Sequence, residues 1–297
     1  MKIEIKGLTK RFDDVVAVNN LFVDFEPGVY GLVGHNGAGK STLLRMIAGI
    51  LLPNEGEILI DGHSPEESVS KSNVFLLPDE PYGSNNDTIA TLVDFYGTFY
   101  GMNKERLDSF LREINLPSDR KINTFSKGMK RQAFIAIALA METPVLLLDE
   151  AFDGIDPMVV EIIKKHLVML SEEGRVIILS SHNIVSLERL VDTFIILSNG
   201  SLAESGDADT MSMSFRKFQA SGTLMTENNL ILLGLELVHF RQVGSVVQFV
   251  IIAKEGDEEL IQSKLNPLFL EKVGLEQGEI ITLEMEIAKK REGMKND

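Results

Sequence analysis

The chain has no cysteine and no tryptophan among its 297 residues. Without cysteine, disulfides and cysteine-ligated zinc or iron–sulfur centres are excluded. It also lacks an excess of positive charge: 29 Lys and Arg against 44 Asp and Glu leave a formal charge of −15, a poor basis for sequence-independent binding to nucleic acid. Long hydrophobic runs are missing too. The longest, near Val145–Leu148, Val176–Leu179 and Phe249–Ala253, fall far short of the ~18 residues a spanning helix needs. The N-terminus alternates Lys2, Glu4 and Lys6 with Ile3 and Ile5, which is strand-like and lacks the apolar stretch of a signal peptide. There is no internal repeat and no low-complexity tract. These absences lead us to expect a soluble cytosolic protein that binds no nucleic acid and does not insert directly into membrane. Any work at a membrane would need another polypeptide to do the spanning.

What is present is most specific at residues 34–42, where Gly34, His35, Asn36, Gly37, Ala38, Gly39, Lys40, Ser41 and Thr42 fit the pattern G-x-x-x-x-G-K-S/T. Average composition would give this pattern by accident in a chain of this length roughly once in a hundred. Its glycines let the backbone curl so that successive N–H groups point at phosphate oxygens. Lys40 can then reach the β- and γ-phosphates of ATP, and the Ser41 hydroxyl can ligate Mg²⁺. The flanks agree. Val29–Val33 is apolar enough for a buried strand, and Leu43, Leu44, Ile47 and Ile50 recur at helical spacing from Lys40 to Ile50. Strand, glycine loop and helix is the arrangement that an anion site at a helix N-terminus requires. The competing reading is a structural glycine turn.

The rest of the chain reads as an α/β protein. Residues 2–28 predict strands with turns at Asp13-Asp14 and Pro27-Gly28, and Glu57–Ile60 and Val74–Leu77 predict two more. Helical spacing covers Thr88–Tyr100, Arg106–Ile114, 127–142 and Pro157–Leu170. Three compact apolar strands follow the middle of the chain, at Val145–Leu148, Val176–Leu179 and Phe194–Leu197. The alternation predicts a parallel sheet with a helical insert at about 85–142. Asn199-Gly200 marks a hairpin turn. Gly, Ser and Asn at 206–228 suggest a linker, which we set at 207–222 between a first domain, 1–206, and a small α+β accessory domain, 223–297. Within that domain Leu230–Phe240 and Ser245–Ala253 predict a hairpin around Gly244, Asp257–Leu265 a helix and Ile280–Ile287 a strand.

Val145-Leu-Leu-Leu-Asp149-Glu150 is an apolar strand ending in two carboxylates. Buried carboxylates need a cation or a proton, and beside a phosphate loop that cation would be Mg²⁺, with Asp149 binding it and Glu150 placed to orient or deprotonate the attacking water. The alternative is a pair of solvated acids at a strand end.

The order of these pieces resembles the ATP-binding subunit of an ABC transporter, of the multidrug and antibiotic-peptide exporter type. The resemblance covers about residues 1–206 and rests on four further matches: Phe125-Ser-Lys-Gly-Met-Lys-Arg-Gln132 at the signature, Gly154-Ile155-Asp156-Pro157 after the catalytic acid, Ser180-Ser181-His182 at the switch histidine, and Asn199-Gly200 at a final turn. It implies the P-loop ABC fold, a mixed sheet core with a helical insert. It also implies ATP hydrolysis with Mg²⁺, a homodimer or heterodimer of ATPase subunits, and a transmembrane permease as partner, so that the chain would sit at the inner face of the cell membrane.

By the same resemblance His182 hydrogen-bonds the γ-phosphate, Phe12 stacks on adenine, and Ser126 and Gly128 contact the phosphate held by the opposite protomer. For His182 and Phe12 the plain alternative is packing. Two departures stand out. Lys127 replaces a signature glycine and could not use that glycine's positive φ without strain, although many exporter-type members carry a similar Ser-Lys-Gly-Met. Asp79 stands where the family has a glutamine near Mg²⁺, and an aspartate can still ligate the metal, with a shorter reach and a new charge. Phe95, Tyr96, Phe99 and Tyr100 form an aromatic stripe that is either core of the insert or a surface for the permease. A soluble ATP-driven switch acting on ribosomes or chromosomes is the competing function. The single cassette, the lack of long heptads and of cysteine, and the acidity all argue against it. A ligand-sensing role for the tail is a third reading, with no motif to name a ligand.

Overall fold

The computed structural model describes the chain except residues 82, 85, 153, 183–186, 188, 192, 208–214, 253, 255, 274–281, 283–286 and 288–297. It divides into two compact units, Met1–Ser205 and Gly206–Asp297.

The first unit opens with a hairpin. β1 (Ile3–Phe12) pairs antiparallel with β2 (Val15–Phe25), and β4 (Glu55–Ile60) joins on the other side of β1. The alternation at the N-terminus is what makes this sheet: Ile3 and Ile5 are buried, whereas Glu4 and Lys6 stay accessible. β3 (Gly28–Val33), β5 (Val74–Leu77), β6 (Val145–Asp149), β7 (Val176–Ser181), β8 (Thr193–Ser198) and β9 (Ser201–Asp207) form a six-stranded sheet in the order β5-β6-β7-β3-β8-β9. The pairs β5–β6, β6–β7, β7–β3 and β3–β8 are parallel. These strands are short continuous apolar runs because the sheet interior is covered on both sides. α1 (Lys40–Ile47) contributes Leu43, Leu44, Met46 and Ile47 to one buried cluster shared with both sheets. At about 1.5–3 kcal/mol per large side chain, this contact fixes α1, and with it the loop that precedes it. The helix ends before Ile50, which is exposed, because Gly49 turns the chain at φ 67°.

A short helix, α2 (Ser68–Lys71), precedes β5, and the helical insert is built from α3 (Ile89–Tyr96), α4 (Lys104–Glu113) and α5 (Lys127–Ala140). Thr88, Asn103 and Ser126 cap their N-termini by accepting backbone N–H bonds. α3 stops at Gly97, short of the expected Tyr100. The aromatic stripe is split: Tyr96 and Tyr100 pack edge-on against Phe75 at 5.5 and 5.4 Å between centroids, while Phe95 and Phe99 are exposed. α6 (Pro157–Glu172) follows β6, with Asp156 capping it and Pro157 in its first turn.

The second unit is a four-stranded antiparallel sheet in the order β11-β12-β10-β13, made of β10 (Phe215–Ser221), β11 (Leu237–Val243), β12 (Val246–Ile252) and β13 (Phe269–Val273), with α7 (Glu227–Leu232) and α8 (Asp257–Leu265). Two expectations fail here. Residues 215–221, assigned to the linker, are an inner strand of this sheet, buried through Phe215, Phe218 and Ala220. Leu230, Ile231 and Leu232, expected to start the hairpin, lie instead in a helix over Glu227–Leu232, with Thr226 as cap. The strand expected over Ile280–Ile287 lies outside the described residues apart from Thr282 and Ile287.

Candidate functional site

β3 ends at Val33 and the chain turns through Gly34 to Gly39 into α1. Two of these glycines are required by space. A Cβ on Gly39, at φ 102°, would stand 2.2 Å from the Ala17 carbonyl oxygen, and one on Gly34 would stand 2.5 Å from that of Leu197. The Asn199-Gly200 turn props the loop from behind: Gly200 N–H donates to Ala38 O at 3.0 Å, and Asn19 N–H donates to Gly200 O at 2.8 Å. No side chain caps the N-terminus of α1, which keeps its first N–H groups for an anion.

Lys40 is 5% exposed; its Nζ donates to Gly34 O at 2.7 Å and His35 O at 3.3 Å, and lies 3.4 Å from Glu150 Oε1. Asp149, at the end of β6, is buried and accepts a 2.5 Å hydrogen bond from Ser180 Oγ. Glu150 follows at φ 49°. Its N–H donates to Ser180 O at 3.1 Å and to Ser180 Oγ at 3.0 Å, so the end of β7 holds the sharp turn in place. Glu150 Oε2 accepts from His182 N–H at 3.2 Å and lies 2.7 Å from His182 Nδ1. One carboxylate therefore joins the loop lysine to the histidine after β7. Ser180 is a residue whose part the motif reading missed: it holds both acids, and its only signal was its place before His182.

A cleft of about 590 Å³ gathers Phe12, Val15, Ala17, Asn36, Gly37, Gly39, Lys40, Ser41, Thr42, Asp79, Glu150 and His182. Gly34, His35, Ala38 and Asp149 are not among its lining residues. Phe12 is 42% exposed, with Lys10 Nζ 5.2 Å from its ring centre, so it is not a core residue. Two further cations line the same cleft, Lys127 and Arg131. The signature motif marks Lys127 only as a departure and does not single out Arg131, although the spacing of four puts both on one face of α5. Arg131 Nη2 lies 3.4 Å from Asp79 Oδ1. Partial burial lifts the Asp79 carboxyl above its ordinary range; Arg131 opposes that lift, and Glu150, Asp149 and Glu80 add to it.

Ser126 and Gly128 are not brought into this cleft. Ser126 Oγ accepts from Met129 N–H at 3.2 Å as the cap of α5. Lys127 needs no positive φ: it opens the helix, and the turn is made by Ser126 in extended conformation.

The ABC transporter family profile matches residues 18–153. An uncharacterized ABC transporter ATP-binding protein of Methanocaldococcus jannaschii is 30% identical over 233 residues, 75% of this chain and 85% of that protein. The chain belongs to the ABC transporter ATP-binding proteins. A Nod factor export ATP-binding protein I of a Bradyrhizobium species is 31% identical over 219 residues, 71% of this chain and 72% of its own. Among solved structures, an ATP-binding subunit of an ABC transporter superposes with a TM-score of 0.66 at 28% identity, covering 71% of this chain and 92% of that one. The fold is thus the P-loop ABC ATPase fold. As an ABC ATP-binding subunit the chain binds and hydrolyses ATP to power transport through a separate permease, and nothing in these likenesses favours a free-standing switch. A solved ABC transporter cassette described as dimeric shares this fold, with a TM-score of 0.61 at 24% identity. Among the described residues no helix is long and apolar enough to cross a membrane.

Proposed function

We propose that this ABC ATP-binding subunit drives export, and that residues 34–42 with Asp149, Glu150 and His182 carry its chemistry. The observation behind the chemical assignment is the Lys40–Glu150–His182 chain of contacts at the mouth of the phosphate loop. The export reading draws on the likeness to the Nod factor export protein and on the Ser-Lys-Gly-Met form of the signature. In the resting site Lys40 is shared between loop carbonyls and Glu150. Nucleotide phosphates offer it stronger acceptors, so Lys40 turns to them and Glu150 is released to take a proton from the attacking water at a carboxylate oxygen. His182 holds Glu150 through Nδ1 and is assigned the γ-phosphate as its second partner. Phe12, at the cleft rim, offers its exposed face to the adenine ring.

Ser41 and Asp149 supply a hydroxyl and a carboxylate, the hard oxygen donors that suit Mg²⁺, with Asp79 as a third candidate. Among the described residues no group of three or more His, Cys, Asp or Glu forms a protein-only cage. That suits an ion that keeps phosphate and water among its ligands. Such an ion would neutralise charge on the transferring phosphoryl group. Ser126 and Gly128 are assigned to the nucleotide of the opposite protomer, in a homodimer or heterodimer. The exposed Phe95 and Phe99 are assigned to the permease, which would hold the subunit at the inner face of the cell membrane. The second unit is read as a separable accessory domain.

The direct test is Lys40→Ala. Loss of a charge-assisted contact to phosphate costs about 2–3 kcal/mol, so calorimetry should find ATP affinity lower by roughly a hundredfold. Unchanged affinity would remove residues 34–42 from the site.

A further inference from the structure

Ser180 stands near the end of β7, an interior strand that pairs with β6 on one side and β3 on the other, with Asp149 and Leu32 as its partners in register. The residues before it, Val176 to Leu179, are apolar and fully buried, and so is Ser180. An apolar side chain would serve packing here at least as well, and a buried hydroxyl costs free energy unless it is hydrogen-bonded. This hydroxyl is committed to the two acids. Glu150 N–H donates to Ser180 Oγ at 3.0 Å, and the single O–H of the serine goes to Asp149 Oδ1 at 2.5 Å. Glu150 N–H also donates to Ser180 O at 3.1 Å, so satisfying that donor does not by itself require a hydroxyl. Asp149 does require one. It is 3% exposed, and among the described residues its carboxylate has this one hydrogen bond and no ion pair.

We infer that Ser180 is a positioning residue for the metal-side acid: its hydroxyl holds Asp149 Oδ1 and commits Oδ2 to the shell of Mg²⁺. A carboxylate free to rotate about its last bond can offer an ion either oxygen. One oxygen held by a directed O–H leaves the other in a single orientation, which is how a partner behind a ligand tunes a metal site. The turn that carries Glu150 takes part, because its N–H occupies the serine oxygen and aims the O–H at Asp149. This rests on the reading that Asp149 serves the ion of the bound nucleotide.

The test compares the Kd of a non-hydrolysable ATP analogue with Mg²⁺ and with EDTA, read by calorimetry on the full chain. The ratio of the two measures the help given by the ion. Ser180→Ala adds no volume. It should leave the Kd in EDTA within about twofold and lower the ratio about tenfold, the usual size for losing a group that orients a metal ligand. In an Asp149→Asn background the same change should move the ratio less than about twofold. A ratio unchanged or raised in Ser180→Ala, equal losses with and without Asp149, or a loss as large in EDTA as in Mg²⁺ would overturn the inference. Ser180→Thr keeps the hydroxyl, and Ser180→Val has the shape of threonine without it. The threonine variant should hold a ratio about tenfold above the valine variant, even if the added methyl makes both melt earlier than the parent chain. Equal ratios in that pair also count against the role. Asp149→Asn alone is the control. If it leaves the ratio unchanged, the reading of Asp149 as the ion's ligand fails. If it lowers the ratio and Ser180→Ala does not, only the role of Ser180 fails.

Discussion

Glu150 carries the largest local conflict in the site. A glutamate at φ 49° occupies the left-handed region, at a cost of roughly 1–2 kcal/mol. Two hydrogen bonds to Ser180 hold it there, and the reward is position: the carboxylate meets both Lys40 and His182. A residue selected for stability alone would be glycine or asparagine at such a turn. Glu150→Gln keeps the size and the hydrogen bonding but removes the proton acceptor. In the assembled complex kcat should fall by roughly a hundredfold or more while ATP still binds. Near wild-type turnover would move the role to Asp79 or Glu80. The residues of this chemistry were legible because each is tied to a fixed neighbour in sequence: a lysine after glycines, acids after an apolar strand, a histidine after another. The props were not. Gly200 reaches Ala38, and Ser180 reaches Asp149, through chain separations that no local pattern records.

At the scale of elements, the first unit reads well because β5 to β8 are short apolar runs and α3 to α6 have side-chain N-caps. Val74–Leu77 and Asp257–Leu265 coincide with their expected limits. The failures occur where burial, rather than pattern, decides. Phe215-Arg-Lys-Phe-Gln-Ala-Ser carries two cations and sits after a Gly- and Ser-rich stretch, so it resembles a linker. Pairing with β12 and β13 on its two sides, and stacking of Phe218 on Phe249 at 5.4 Å, make it a strand. Leu230-Ile-Leu-Leu is too short for periodicity to separate helix from strand, and the cap at Thr226 was the signal that would have decided it. The second unit thus has its own sheet and its own buried cluster, including Phe218, Phe249, Leu230 and Ile261. A chain cut after Asp207, which keeps β9 whole, should therefore bind ATP with affinity close to that of the full chain. Lost binding in a truncated chain that is folded by circular dichroism would show that the second unit completes the site.

At the scale of the whole molecule, the cleft is incomplete for the chemistry assigned to it. Lys40, Ser41, Glu150 and His182 converge within one chain, yet Ser126 and Gly128 do not line the same cleft. Ser126 instead caps α5, a 14-residue helix whose N-terminus is an anion site in its own right. A solved cassette of this fold is dimeric, and in this chain a second copy would supply what one copy lacks if the cap of one chain meets the phosphates bound by the other. Two ATP molecules then join two chains that would otherwise repel, since each carries a charge of −15. In that arrangement hydrolysis would remove the joint, and the opening would be what the permease receives. A mixture tests this. Lys40→Ala subunits lack the phosphate grip, and Ser126→Arg subunits block the cap, so each alone should be inactive. Combined, half of the mixed dimers' sites pair an intact loop from one chain with an intact cap from the other, and ATPase activity should recover in part. Activity independent of protein concentration, under conditions where sedimentation finds only monomer, would refute the shared site outright. An absence of recovery despite demonstrated mixed dimers would leave sharing only if both sites must fire together, and a Glu150→Gln and wild-type mixture then decides. Turnover falling in proportion to the Glu150→Gln fraction means independent sites, and turnover falling as the square of the wild-type fraction means obligate coupling.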